Sequence, residues 1–462
     1  MKIHISTFSL TNIERDKDMY IIPKIGYITV FHPFEEGADE ASKINEEGAE
    51  LLENFTINII KSESLVSSRE DALAAGELFR KSDVDAVVVR LATWSSDNLL
   101  LDLHSICDVP VVNWGLESMN SGSMCGAQQY NAVLKELGEE CRFIYRDTQF
   151  SLINMYTFIL VAAIRKKLQR LRIAIIGNRT QGMAEVICDE FSLRTIFGPR
   201  IISLGFGKFK QMVRSTSSEE CSGIVDDWRE KIPNIEVGEE DLINSARNYL
   251  AMRNLVDKHD LAGIAVECYP EYMGQTCLGF SRLADEGIVG ACEGDLNSLV
   301  LMWIMQNFSR SPVHHIDPLF LYDEDHSMVG SHCGSGSMYL AEDQNEIKID
   351  HVRLADKGAC IMYPSKPGVV TMANLIGREK TYRMAIIVGE AERTELVFPG
   401  NPVRIQFPFA NQTFLDLVEI GGFGHHWVVA YGDISDELFR LCDFLGVDAL
   451  NFNSQSMGED IL

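Results

Sequence analysis

Apolar positions fall into two textures along the chain. Through its first two thirds, short unbroken apolar runs alternate with longer stretches of helical spacing. KIGYITVF (24–31), DAVVVRLATW (85–94) and VPVVNW (109–114) are runs of the first kind, and residues 38–61 carry helical periodicity between the first two. Unbroken β-branched runs suit strands covered on both faces by crossover helices, so a doubly wound, mostly parallel sheet is expected. SLINMYTFILVAAI (151–164) is apolar on all sides but too short to span a bilayer, and is read as a buried helix. The pattern restarts near Leu171. LRIAIIGNRTQGM (171–183) reads as strand, glycine turn and helix start, and GPRIISLGF (198–206) and LAGIAVECYP (261–270) as further strands.

After about residue 310 helical spacing fades. GACIMY (358–363), GVVTMANL (368–375), YRMAIIVGEA (382–391) and PVRIQFPF (402–409) are short segments punctuated by Gly, Pro, Asn and charge. That texture predicts an antiparallel sheet or small barrel. A final helix and strand are expected over 434–452. The expected fold is therefore two doubly wound, Rossmann-like α/β domains, 1–168 and 169–308, then a C-terminal antiparallel β-barrel-like domain, 309–462. The GNRTQG turn is not a G-x-G-x-x-G fingerprint, and no acidic residue is placed to hold a ribose, so no dinucleotide is expected.

Composition narrows the function classes. With 67 acidic against 41 basic residues, the net charge of −26 lacks the positive footprint needed for nucleic acid or an anionic membrane surface. Eleven cysteines form no C-x-x-C pair, and their irregular spacing fits reduced thiols in a cytoplasmic protein rather than a disulfide framework or a structural zinc site. The start, MKIHISTFSL, has no long apolar core behind a basic region, so no secretory signal is expected.

The histidines are uneven: of eleven, eight lie at or after His259. Three patches combine them with acids. In GACEGDLNSLVLMWIM (290–305), Glu293 would project from the carboxyl end of a strand, where ligands bind in open α/β sheets. Asp295 suits an N-cap, and plain helix capping is the alternative for both acids. In SPVHHIDPLFLYDEDHSMVGSHC (311–333), Asp317 precedes a proline and His332 sits in a Gly-Ser-His-Cys turn. A polar surface loop is the alternative there. His314 and His315 would point to opposite sides of a strand, so at most one faces a site. In GGFGHHWVVAYGD (421–433), His425 and His426 should again diverge on a strand. Two carboxylates with one or more imidazoles suit a hard divalent ion, Mn²⁺ or else Mg²⁺ or Co²⁺. Such an ion can bind both oxygens of an α-hydroxy carbonyl while carboxylates move the C2 proton.

At these patches the chain resembles the L-fucose/L-arabinose isomerase superfamily. The resemblance implies a metal set of Glu293, Asp317 and His426, with His332 as ligand or orienting group from the arabinose-type Gly-Ser-His turn. Glu293 and Asp317 would be catalytic, interconverting an aldose and a ketose through a metal-stabilised cis-enediolate. The segments 91–103 and 178–183 resemble parts of the family that reach the sugar, which implies Trp94, Arg179 and Met183 as substrate-side residues. Tyr269, where fucose-type relatives often have Gln, and His425, where an Asn accompanies the last ligand, also fall on sugar contacts. Tyr322 or Asp323 stands at the arabinose-type second glutamate, so the chain follows the fucose-type pattern. The resemblance further implies a trimer or hexamer acting on a monosaccharide. A metal-dependent lyase or epimerase, and a non-catalytic sugar sensor, are the competing readings.

Overall fold

The Val- and Ile-rich runs become the strands of two parallel sheets in the computed structural model, which describes residues 19–353, 357–378 and 380–451. The MKIHISTFSL segment lies outside the described residues. The chain divides into two compact units, 1–167 and 168–462. The expected 169–308 and 309–462 segments both fall within the second.

In the first unit, β1 (Lys24–Val30), β2 (Asn58–Lys61), β3 (Ala86–Leu91), β4 (Val111–Gly115) and β5 (Cys141–Tyr145) form an all-parallel sheet of order β2-β1-β3-β4-β5. A helix crosses between each successive pair of strands, so all six residues of β3 are buried. Residues 38–61 are not one helix. The helix Ala41–Leu52 ends, and Asn58–Lys61 pairs as the edge strand β2. Phe55, Ile57, Ile59 and Ile60 continue the apolar count past the helix, which is why periodicity ran on. The 151–164 segment lies within the helix Gln149–Leu168. Among the described residues no helix is long and apolar enough to cross a membrane.

The second unit opens with β6 (Arg172–Ile176) and β7 (Arg200–Leu204), followed by the two-residue β8 (Asn234–Ile235), β9 (Gly263–Val266) and β10 (Val289–Ala291). β10-β9-β6-β7 is a parallel sheet. The order reverses at β6, so the carboxyl ends of β6, β9 and β10 frame a crevice.

Beyond these lie β11 (His314–Tyr322), β12 (Ser327–Ser331), β13 (Lys348–Asp350), β14 (Cys360–Met362), β15 (Gly368–Arg378), β16 (Thr381–Glu392), β17 (Val403–Gln406), β18 (Trp427–Tyr431) and β19 (Asp448–Asn451). Seven of them form a mixed sheet, β15-β18-β11-β12-β17-β16-β19. β15 also pairs with β16 along its whole length, closing six strands into a ring. β19 runs parallel to β16, and β14-β13-β8 is a separate small sheet. A helix missed by the sequence reading, Asn411–Gly421, precedes β18. The helix Leu296–Ser309, buried at every position but its last, packs against β9 and β10 and against β15 and β18. Its N-terminus carries the β10 turn to the start of β18, and that junction positions the site.

Candidate metal centre

Glu293 sits in a one-turn 3-10 segment, Cys292–Gly294, directly after β10. Its backbone is left-handed, at φ 63°. A glutamate there costs about 1 kcal/mol or more relative to ordinary helical or extended backbone. The surroundings hold it: its N–H donates to Cys268 Sγ (3.4 Å), and its carbonyl accepts from the Thr180 N–H (2.9 Å). The next residue, Gly294, is also left-handed, and a Cβ there would lie 2.3 Å from the Asn178 carbonyl oxygen. The 178–180 loop therefore rests directly on the Glu293–Gly294 turn.

The Glu293 carboxylate meets His426. His426 Nε2 lies 2.9 Å from Glu293 Oε2, and its Nδ1 lies 2.9 Å from Asp295 Oδ2. His426 is 4% exposed. Burial alone would lower its pKa, but hydrogen bonds to Asp295 and Glu293 win and push it up to about 10. Burial opposes the charge on both acids as well, yet the imidazole holds each carboxyl below its usual range. A cation between two buried carboxylates is the preferred occupant of this position.

Asp317 comes from β11 and His332 follows the end of β12. Asp317 Oδ1 is 3.9 Å from His426 Nε2, and its Oδ2 is 3.9 Å from His332 Nε2. Antiparallel pairing sets Asp317 opposite Ser331, which delivers His332 beside it. His315, two residues before Asp317 and therefore on the same face of β11, stacks on His332 at 4.9 Å between ring centroids and meets His426 edge-on at 4.5 Å. Burial pushes the His315 pKa well below its ordinary value, which keeps the ring neutral. Both ring nitrogens of His315, both of His332, and Asp317 Oδ1 are buried without a hydrogen-bond partner. Five such atoms are a costly set unless something binds them. Donor atoms of His315, His332 and His426 lie within 4.8 Å of one another, and so do those of Glu293, His425 and His426. This mixture of imidazole and carboxylate fits a divalent ion.

His314 turns away, its Nε2 donating to the Asn401 carbonyl (2.6 Å), so β11 alternates as the pleat requires. His425 and His426 do not diverge as expected. Both precede β18 rather than lie on it, their rings are 4.1 Å apart, and His425 Nε2 is 4.0 Å from Glu293 Oε2. Strand alternation does not govern a turn. Asn374 on β15 pins that turn by donating to the carbonyls of Gly424 (3.1 Å) and His426 (2.7 Å). His425 Nδ1 is 2.7 Å from Glu185 Oε1 at the mouth of a cleft that Asn297 and Asn374 also line.

The remaining sequence candidates are spread more widely. Arg179 lies on the loop against Gly294, its guanidinium donating to the Thr180 carbonyl (3.2 Å). Met183, part-buried, closes that loop with an N–H to the Thr180 carbonyl. Tyr269 is exposed, precedes a cis proline and follows the Cys268 that accepts from Glu293. Trp94 belongs to the first unit, where its Nε1 donates to Gln129 (2.9 Å). Sequence reasoning left open which of His314 and His315 faces the site, did not single out Glu185, and expected of Asp295 the cap that it forms but not its contact with His426. Parity with Asp317 along β11 was the available signal for His315; nothing in the sequence pointed to Glu185. All eleven cysteines are free thiols.

No family model matches the chain. Curated proteins do. A sulfoquinovose isomerase of Priestia aryabhattai is 21% identical over 414 residues, covering 86% of this chain and 92% of its own. A sulfoquinovose isomerase of Clostridium sp. (strain MSTE9) is 25% identical over 358 residues, covering 74% and 78%. An L-arabinose isomerase of Shouchella clausii is 20% identical over 318 residues, covering 62% of each chain. These similarities, spread along most of its length, support an aldose–ketose isomerase of the L-fucose/L-arabinose superfamily type.

Proposed function

We propose that this protein interconverts an aldose and a ketose sugar at the centre formed by Glu293, Asp317, His332 and His426. The observation that carries the reading is the convergence of these four side chains from the β10 turn, β11, the end of β12 and the turn before β18, around buried unpartnered donor atoms. Sulfoquinovose and L-arabinose isomerases among the relatives support the reaction class.

A divalent ion held by Glu293, Asp317, His426 and His332, Mn²⁺ by preference, would supply Lewis acidity toward the two oxygens of an α-hydroxy carbonyl. The protein's own groups do the rest. Glu293 and Asp317 are the carboxylates able to take the C2 proton and return it at C1 through a cis-enediol. Buried imidazoles exclude bulk water from that transfer. Arg179, Met183, Tyr269 and His425 border the site as sugar contacts. Trp94 is assigned to the sugar by the family resemblance alone. The eleven free thiols support a cytoplasmic setting. The three-part division, with 309–462 as a closed-strand domain, and a trimer or hexamer belong to the same proposal.

The test is a screen on metal-stripped protein. Mn²⁺, Mg²⁺ or Co²⁺ is added with sulfoquinovose, L-arabinose, D-arabinose or L-fucose, and ketose formation is followed with Glu293→Gln as control. Metal-dependent turnover that the variant loses is the expected result. Carbon–carbon cleavage, a product epimeric at another carbon, or sugar binding without turnover would overturn it in favour of lyase, epimerase or sensor.

A further inference from the structure

Asp295 is only 3% exposed, and both its carboxylate oxygens are fully committed. Oδ1 accepts the N–H groups of Asn297 (2.9 Å) and Ser298 (3.0 Å), capping the helix Leu296–Ser309. Oδ2 accepts the Ser298 hydroxyl (2.6 Å) and faces His426 Nδ1 at 2.9 Å. Ordinary capping needs one oxygen and leaves the other to solvent. Here the cap clamps the carboxylate plane, and the second oxygen is aimed at a ring nitrogen 131 residues away in sequence.

A carboxylate can only accept, so the nitrogen facing it must carry a proton. We infer that Asp295 is the positioning residue of this centre: it retains the His426 proton on Nδ1, so that the proton a metal displaces is the one on Nε2, which faces Glu293 Oε2 at 2.9 Å in the metal-free centre, and Nε2 becomes the ligating nitrogen. The helix cap and the metal site are thus one device. The inference rests on the metal reading of the centre for its affinity readout, but not for its spectroscopic one.

Asp295→Asn tests it without dismantling the helix, because Asn caps as well as Asp. With the amide oxygen held by the Asn297 and Ser298 N–H groups, the amide nitrogen takes the place of Oδ2 and donates to His426 Nδ1. The ring proton is then forced onto Nε2, the wrong nitrogen for a ligand. Three readouts follow. Mn²⁺ affinity, by calorimetric titration, should fall 10–100-fold. The ring-nitrogen NMR of the metal-free protein, with His426→Gln for assignment, should show a proton on Nδ1 in the wild type and none in D295N. Thermal unfolding of the metal-free variant should match the wild type. Asp295→Ser, which keeps a capping oxygen but does not reach His426, should weaken Mn²⁺ less than D295N, and it stands in if D295N fails to fold. Wild-type Mn²⁺ affinity in both variants, or a protonated Nδ1 in D295N, overturns the inference. A wild type that binds no Mn²⁺ yet shows the Nδ1 change on mutation would leave the positioning role intact and remove the metal reading instead.

Discussion

Gly294→Ala puts the argument about the site's backbone to its hardest test. Gly294 is left-handed at φ 74°, and an added Cβ would lie 2.3 Å from the Asn178 carbonyl oxygen and 2.9 Å from Arg179 Cα. Left-handed backbone costs an alanine roughly 1–2 kcal/mol. A contact near 2.3 Å must open by about 1 Å to become ordinary, and the atom in the way is backbone, so the 178–180 loop or the Glu293 turn has to move. Overpacking of that kind costs typically ~1–3 kcal/mol. Gly446→Ala is the matched control. It too is left-handed, at φ 64°, but has nothing within 4 Å of its Cβ, so it carries only the backbone cost. In urea unfolding, G294A should lose about 1–3 kcal/mol more than G446A. Because Thr180 N–H bonds to the Glu293 carbonyl, the shift reaches the Glu293 carboxylate. Displacing a reacting group by about 1 Å costs on the order of 10²-fold in rate. G294A should therefore lose about that much in kcat/KM, while G446A keeps its activity. A G294A protein as stable and as active as G446A would refute the claim that loop and turn are locked together.

Three further outcomes are expected. Glu293→Gln should abolish the rise in Tm that saturating Mn²⁺ gives the wild type, a rise worth about 2.7 kcal/mol at one hundred times Kd, and an undiminished rise in the variant counts against Glu293 as a ligand. Burial pushes the Asp285 carboxyl up to about 6 although Ser337 Oγ (2.6 Å) and Met338 N–H (3.0 Å) donate to it. A folded pKa above the unfolded value of about 3.9 means its stabilisation is complete below about pH 4 and lost as pH rises through about 6, so the stability of wild type minus Asp285→Asn should fall by roughly 2–3 kcal/mol from pH 4 to 7; a constant difference sinks this reading. In the first unit the Arg90 guanidinium, 1% exposed, pairs with both oxygens of Asp147 (3.3 and 2.9 Å) and stacks 3.9 Å over Trp114. Asp147→Ala leaves that cation without its acid and should cost about 2–3 kcal/mol in urea melts, somewhat less than for a fully buried pair because Asp147 is 38% exposed; a loss under about 0.5 kcal/mol would contradict it.

The parallel strands were the most legible part of the fold because their burial is unambiguous. AVVVRL in β3 has no solvent face, and no helix-forming spacing competes with it. Segments with one exposed face were harder. β2 is a half-exposed edge strand whose apolar residues happen to continue the count of the helix before it. The helix Asn411–Gly421 carries an amphipathic stripe of Phe414, Leu417 and Val418, but Gly, Pro and Asn on either side gave its surroundings the texture of turns and short strands. β15 and β16 form a local hairpin, but the ring of six strands also needs β18 to pair with β11 and β15, and β17 with β12, pairings between residues far apart in sequence that local pattern does not encode.

The two histidine pairs show where residue-level reasoning about the site holds and where it stops. One rule, that neighbours on a strand point to opposite faces, was applied to both. At His314–His315 the backbone is pleated, and the rule separates them: one ring goes to the Asn401 carbonyl, the other to the centre. Carried one step further, the same rule puts His315 with Asp317, two residues on, so this member was within reach of the sequence. At His425–His426 the chain has not yet entered β18, and the turn brings both Nε2 atoms to the same oxygen of Glu293. What makes that turn is remote: Asn374 of β15 holds two of its carbonyls. Glu185, on a third segment, orients His425 in the same way that Asp295 orients His426. Chemistry-bearing residues can thus be picked from the sequence by type and spacing, but the carboxylates that aim them come from elements whose proximity only the folded chain creates.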